Sequence, residues 1–125
     1  IEVKDKRIEK VKSLLDIIRA YDIEDDVILI SFHASVLREF KRLSPNMELW
    51  LLVHGIKDEK LLECIENGFG VAFEAKKALK NLHMIQKIHD NNLTAACWTV
   101  DTAELLNTML DCGVKYITTN AILPE

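Results

Sequence analysis

The chain has 125 residues, of which 49% are hydrophobic and 29% charged, and its formal net charge is −4 at pH 7. This length fits one domain, and the apolar fraction is enough to bury a core, so an intrinsically disordered chain is excluded. The acidic balance and the lack of a Lys/Arg block argue against nucleic acid as a partner. The longest apolar run, at 27–32, is too short to span a membrane.

The cysteines give a second composition argument. Cys64, Cys97 and Cys112 are odd in number and lack metal-ligand spacing. We therefore expect reduced thiols, mostly buried as small hydrophobic side chains. Reduced thiols favour a reducing compartment such as the cytoplasm.

The first half of the chain alternates strand and helix patterns. In the opening "IEVKDK", Ile1 and Val3 alternate with Glu2 and Lys4, which is typical of a half-buried strand. Two helices with apolar residues at helical spacing and two almost wholly apolar strands follow. We predict the helices at 5–22 and 34–44 and the strands at 26–32 and 48–53.

The second half continues the alternation, with helices predicted at 57–68, 79–92 and 101–113 and strands at 69–75, 93–100 and 114–120. Thr102 is a plausible N-cap, while Gly68 and Gly113 mark helix ends. Regular alternation with buried strands predicts a parallel sheet flanked by helices. An open doubly wound sheet and a (β/α)₈ barrel both fit, and the lack of glycine in "IEVKDKR" disfavours a nucleotide-binding version.

Ligands of parallel α/β folds bind beyond the carboxyl ends of the strands, so the residues that close each predicted strand are candidates. They are Glu2, Lys4, Ser31, His54, Glu74, Trp98, Thr99 and Asn120. A carboxylate, an ammonium, a hydroxyl and an indole together suit an anionic substrate held near a cation.

Each candidate also has a purely structural interpretation. Glu2 and Lys4 equally fit the solvated face of an edge strand. Ser31 is expected to satisfy a neighbouring backbone group, and Trp98 fits either the core or a pocket wall. The histidines at 33, 83 and 89 are expected to be ordinary surface or half-buried residues.

Three segments resemble one enzyme family. "CWTVDTAELLNTMLDCGVKYITTN" resembles the C-terminal signature of the glycerophosphodiester phosphodiesterases, where a WTV strand and a short helix lead into a further strand. "IEVKDK" is similar to a strand of that family in which Glu and Lys alternate with apolar residues. "VILISFHASVLREFKRLSPNMELWLLV" is similar to the strand, helix and turn that follow, and the resemblance is weakest over 54–77.

The resemblance implies a partial (β/α)₈ TIM barrel over residues 1–125, comprising about six parallel strands, family strands 3 to 8, and five intervening helices. It implies hydrolysis of a glycerophosphodiester to glycerol 3-phosphate and an alcohol, assisted by a divalent cation, calcium or magnesium. Glu2 matches a metal ligand, Lys4 matches the lysine that contacts the phosphate, and Trp98 matches an aromatic residue of the substrate pocket.

The family's His-Arg-Gly motif is not found in this sequence, and none of the predicted strands matches the family's Glu-x-Asp strand with the His-Asp that follows it. They belong to the first two βα units, which the strand count also finds missing. We therefore assign no catalytic residue and expect the isolated chain to be inactive.

Two other functions remain open. One is a barrel aldolase with Lys4 as a Schiff-base nucleophile, and the other is a non-catalytic barrel remnant that acts in association or ligand binding. The open sheet edges of an incomplete barrel also predict a homo-oligomer or a swapped pairing that covers them.

Overall fold

The computed structural model describes residues 1–119, so the predicted end of the last strand at Asn120 lies outside the described residues. The chain divides into two compact units, Ile1–Leu52 and Val53–Glu125. Both units alternate helices with parallel strands, which confirms the predicted α/β class. Within residues 1–119, no helix has the length and apolar character needed to cross a membrane.

The first unit begins with a 3₁₀ turn at Ile8–Lys10. Helix α1 (Val11–Ala20), strand β1 (Ile28–Ser31), helix α2 (Ala34–Leu43) and strand β2 (Glu48–Val53) follow in that order, and the last residue of β2 already belongs to the second unit. The two strands are parallel, with Ile28 opposite Glu48 and Ser31 opposite Leu51. All four of these elements lie inside or at the edges of the predicted ranges.

The core of the first unit follows from helical spacing. Helix α1 buries one stripe of apolar side chains, and α2 packs against both α1 and β1. The residues of α2 that carry this contact are wholly buried: Val36, Leu37 and Phe40. Pro45 lies two residues after Leu43 and disfavours helical backbone at Ser44, so α2 ends at Leu43.

The opening segment, which was predicted as the first of six strands, does not form a strand. Glu2 makes an isolated parallel bridge with Ile30, supported by hydrogen bonds from Val3 N to Ile30 O (2.7 Å) and from Ile30 N to Ile1 O (2.9 Å). The pairing stops there because the Asp5 carboxylate accepts a hydrogen bond from the backbone N–H of Arg7 at 2.9 Å. Such a local side-chain contact competes with a sheet ladder for the backbone.

The second unit contains the other elements. They are helix α3 (Asp58–Asn67), strand β3 (Gly70–Glu74), helices α4 (Ala75–Ala78) and α5 (Leu82–Asp90), strand β4 (Ala95–Val100), helix α6 (Ala103–Asp111) and strand β5 (Tyr116–Thr119). Strand β4 pairs in parallel with β3 on one side and β5 on the other. Gly68 ends α3 with φ 70°, and the Thr102 hydroxyl caps α6 by accepting from Leu105 N at 3.1 Å, both as predicted.

The residues described thus contain five strands of an α/β fold, which is consistent with a partial (β/α)₈ barrel. The predicted count of six strands is not confirmed. Helix α4 was not predicted, because its four residues are too few to show a helical period.

The cysteines are free thiols, and two of the three are buried. Burial raises the pKa of Cys64 to about 12 and that of Cys97 to about 11. Only the thiolate attacks an alkylating reagent, so the folded chain should react with iodoacetamide at about pH 8 first at the half-buried Cys112. Intact mass should show one adduct per native chain, and three only after unfolding. Three adducts forming at equal rates in the native chain would contradict this prediction.

Candidate active site

Glu2 and Lys4 belong to the first unit. The parallel bridge places Glu2 beside Ile30, and the register of β1 and β2 places Ile30 beside Trp50, so these residues share one sheet face. Both Glu2 and Lys4 are exposed. The site therefore presents an accessible carboxylate and an accessible ammonium two residues apart.

The backbone after Lys4 is fixed by a local ion pair. The Arg7 guanidinium donates from Nη2 to Asp5 Oδ2 at 2.6 Å and from Nε to Oδ1 at 2.9 Å. The side-chain hydrogen bond from Arg7, followed by the one from its backbone N–H, holds the pKa of the Asp5 carboxyl well below its usual range. Asp5 stays ionised and bound to Arg7, so it is not a free ligand beside Glu2.

Ser31 has a structural role. Its side chain is wholly buried at the end of β1, and its Oγ accepts a hydrogen bond from the backbone N–H of His33 at 3.0 Å. This contact is the backbone satisfaction expected from the sequence. Three histidines also have the burial expected from the sequence, since His83 is exposed while His33 and His89 are half-buried.

Three further candidates come together in the second unit, and we call His54, Glu74 and Trp98 the His54 cluster. In the register of β3 and β4, Glu74 lies directly opposite Trp98. The indole Nε1 of Trp98 donates to the backbone carbonyl of Ala72 at 3.1 Å, which fixes the orientation of the ring. Trp98 is half-buried, so part of its side chain is accessible to solvent.

His54 joins this pair through its side chain and its backbone. Its Nδ1 lies 3.1 Å from Glu74 Oε2, and its carbonyl oxygen accepts a hydrogen bond from Glu74 N at 3.0 Å. Its ring meets that of Trp98 edge to face, with centroids 5.6 Å apart and planes at 70°. The side chains of His54 and Glu74 are 60% and 28% exposed, so a ligand can reach both.

Strand β4 has a β-bulge in the stretch that contains Trp98. Cys97 pairs with Ile117 and Val100 pairs with Thr119, so the stretch from Cys97 to Val100 has one residue more than its partner strand. The extra residue falls at Trp98 or Thr99. Bulges of this kind change the direction of a side chain and are over-represented next to active sites.

The metal site implied by the resemblance requires several carboxylate or imidazole ligands close together. Within residues 1–119, no group of three or more His, Cys, Asp or Glu side chains could hold a metal ion. Glu2 can supply one carboxylate, but the described residues do not form a complete metal site.

Comparison with known proteins gives one family. The family model of the glycerophosphoryl diester phosphodiesterases matches residues 1–123. No curated protein sequence matches the chain.

Solved structures support the same relationship. The chain is 25% identical to a glycerophosphodiester phosphodiesterase from Parabacteroides distasonis, with a TM-score of 0.82 over 94% of this chain and 51% of that one. A phosphodiesterase from Oleispira antarctica, solved in complex with the product sn-glycerol-3-phosphate, is 13% identical, with a TM-score of 0.79 over 90% of this chain and 45% of that one. The chain thus spans about half the length of the structures that it matches.

Proposed function

The chain belongs to the glycerophosphoryl diester phosphodiesterase family, and from this membership we propose that it forms part of an enzyme that hydrolyses glycerophosphodiesters to glycerol 3-phosphate and an alcohol. The observation that carries the proposal is the family match over residues 1–123. The product complex of the Oleispira antarctica relative supports a small phosphorylated ligand.

In this proposal, residues 1–125 are one domain that corresponds to family strands 3 to 8 of a (β/α)₈ barrel. The opening segment then occupies the place of the third strand, where its bridge to Ile30 keeps it beside β1. The edges of the incomplete barrel are covered by a second copy or by a swapped segment, which is an expected form of association for open strands.

The proposed roles follow the matched positions. Lys4 contacts the phosphate, and its exposed ammonium can offset the negative charge that develops on the phosphoryl oxygens. Trp98 lines the substrate pocket with an indole held in place by its bond to Ala72 O. Family members are generally metal-dependent, and Glu2 is proposed as one ligand of a calcium or magnesium ion. Since the described residues do not complete that site, we assign no step of the reaction to a metal that they hold.

Two measurements test the proposal. The longest product of the reading frame that contains this chain should release sn-glycerol 3-phosphate from glycerophosphocholine, detected by a coupled dehydrogenase assay, and chelation with EDTA should stop the release. The 125-residue chain alone should release none with either calcium or magnesium. If the longer product released no sn-glycerol 3-phosphate, the proposed phosphodiesterase function would be refuted. Release by the 125-residue chain alone would refute only the expectation that this chain is inactive by itself.

A further inference from the structure

We propose that an exposed segment of the second unit, residues 76–83, docks on the surface of a bilayer that contains anionic phospholipids. This segment, which we call the 76–83 ridge, lies just after strand β3 and includes the end of α4, the connection to α5 and the start of α5. The inference goes beyond the proposed function and does not depend on it, because it concerns the surface on which the chain is held and not the bond that is cleaved.

The part of the chain that contains the ridge is basic, although the chain as a whole is acidic. Residues 75–89 include four lysines and two histidines but no aspartate or glutamate, whereas the chain has 20 acidic residues in 125. The ammonium groups of Lys76 and Lys87 are each paired with an aspartate. Those of Lys77 and Lys80 are exposed and form no ion pair within residues 1–119. Two positive charges of the ridge therefore remain available to an anionic surface.

Two leucines of the ridge are also exposed to solvent. The exposed fraction is 46% for Leu79 and 39% for Leu82. Leucines among lysines are typical of protein segments that lie in a bilayer interface, where the apolar side chain enters the acyl boundary and the ammonium stays among the headgroups. Residues 75–89 contain no arginine, Phe, Trp or Tyr, which are the side chains that nucleic-acid surfaces favour. The composition therefore fits a lipid surface better than a nucleic acid.

Two successive turns of the backbone present these side chains to solvent. Their closing hydrogen bonds run from Asn81 N to Ala78 O and from Met84 N to Asn81 O, each at 2.9 Å. Ala78 and Met84 are buried and anchor the turns to the rest of the unit. Since the backbone is already fixed, little entropy is lost when the ridge docks. Each turn has a leucine and then a basic side chain at its corner, in the order Leu79, Lys80, Leu82 and His83.

Co-sedimentation of this chain with lipid vesicles tests the inference. We expect the chain to sediment with vesicles of phosphatidylcholine and phosphatidylserine, and to remain in the supernatant with vesicles of phosphatidylcholine alone. An increase in NaCl from about 0.1 M to about 0.5 M should release most of the bound chain, because salt screens the attraction between lysine and anionic lipid. The double variant Leu79→Ala/Lys80→Gln loses one apolar and one charged contact, and its partition coefficient should fall about 10- to 20-fold.

Leu110→Ala/Lys115→Gln is the matched control, since it makes the same two changes at exposed positions of the same unit. Leu110 lies in the last turn of α6 and Lys115 lies just before β5, so both are near the amino end of that strand, whereas the ridge follows the carboxyl end of β3. The control should bind vesicles as the unsubstituted chain does. Far-UV circular dichroism of each variant shows that it is folded.

Absence of sedimentation with the anionic vesicles, equal sedimentation with both kinds of vesicle, or equal losses in the two double variants would overturn the inference. The single variants distinguish a bilayer from other anionic partners. If Leu79→Ala bound the anionic vesicles normally while Lys80→Gln did not, binding would depend on charge alone. That result would indicate a nucleic acid or an acidic protein surface and would also overturn the inference.

Discussion

Replacing Phe73 with alanine should lower the free energy of unfolding by about 3–5 kcal/mol. Phe73 is wholly buried in the middle of β3, and its partner across the ladder, Cys97, is 1% exposed. The neighbouring β3 residue on the same face, Val71, is also 1% exposed. Removal of the ring leaves a cavity among side chains that the flanking strands hold in place, so the loss includes both the transfer and the cavity contributions.

Urea denaturation followed by far-UV circular dichroism measures this loss. Tyr21→Ala is the matched control, because it also removes an aromatic ring but from a side chain that is 74% exposed. We expect it to change the free energy of unfolding by less than about 0.5 kcal/mol. If Phe73→Ala cost no more than Tyr21→Ala, the described burial of β3 would be wrong.

The buried strands and amphipathic helices were predictable from the sequence. The run "ELWLLV" has no alternation and forms β2 over the predicted residues, since a strand covered on both faces needs apolar side chains throughout. Both ends of helix α6 were predicted, because each end is determined by a single residue next to it in the sequence. Thr102 supplies the capping hydroxyl, and Gly113 adopts φ 79°, which other residues rarely tolerate.

The structure of the opening segment was only partly predictable. Alternation in "IEVKDK" indicates an extended backbone, and Glu2 does bridge to Ile30. The length of the ladder, however, depends on the competing contact of Asp5 with Arg7, whose strength no hydrophobic pattern shows.

The candidate site illustrates the same limit. The rule that strand ends carry ligands selected His54, Glu74 and Trp98 one at a time. Their contact depends on the register between β3 and β4, which puts Glu74 opposite Trp98, and on the hydrogen bond from Glu74 N to the carbonyl oxygen of His54. A shift of one residue would move a side chain to the other face of the sheet, and sequence patterns do not fix register to that accuracy.

Replacing Lys4 with methionine should lower kcat/KM for glycerophosphocholine by about 10²- to 10³-fold in a complete barrel that contains this chain. Methionine retains most of the length of the side chain and removes its charge. The ammonium is proposed to act where negative charge increases on the phosphoryl oxygens, so most of the loss should appear in kcat. Because Lys4 is exposed and follows the Glu2–Ile30 bridge, its removal should leave the fold intact.

Steady-state kinetics and thermal unfolding of the same preparations separate these effects. Lys10→Met is the matched control, since it removes the same charge from an exposed position in the 3₁₀ turn of the same unit, and it should leave kcat/KM unchanged. Lys4→Arg should recover part of the activity, because it restores a positive charge with a different geometry. Equal activity of Lys4→Met and Lys10→Met would show that Lys4 lies on a solvated edge, the interpretation that the sequence alone left open.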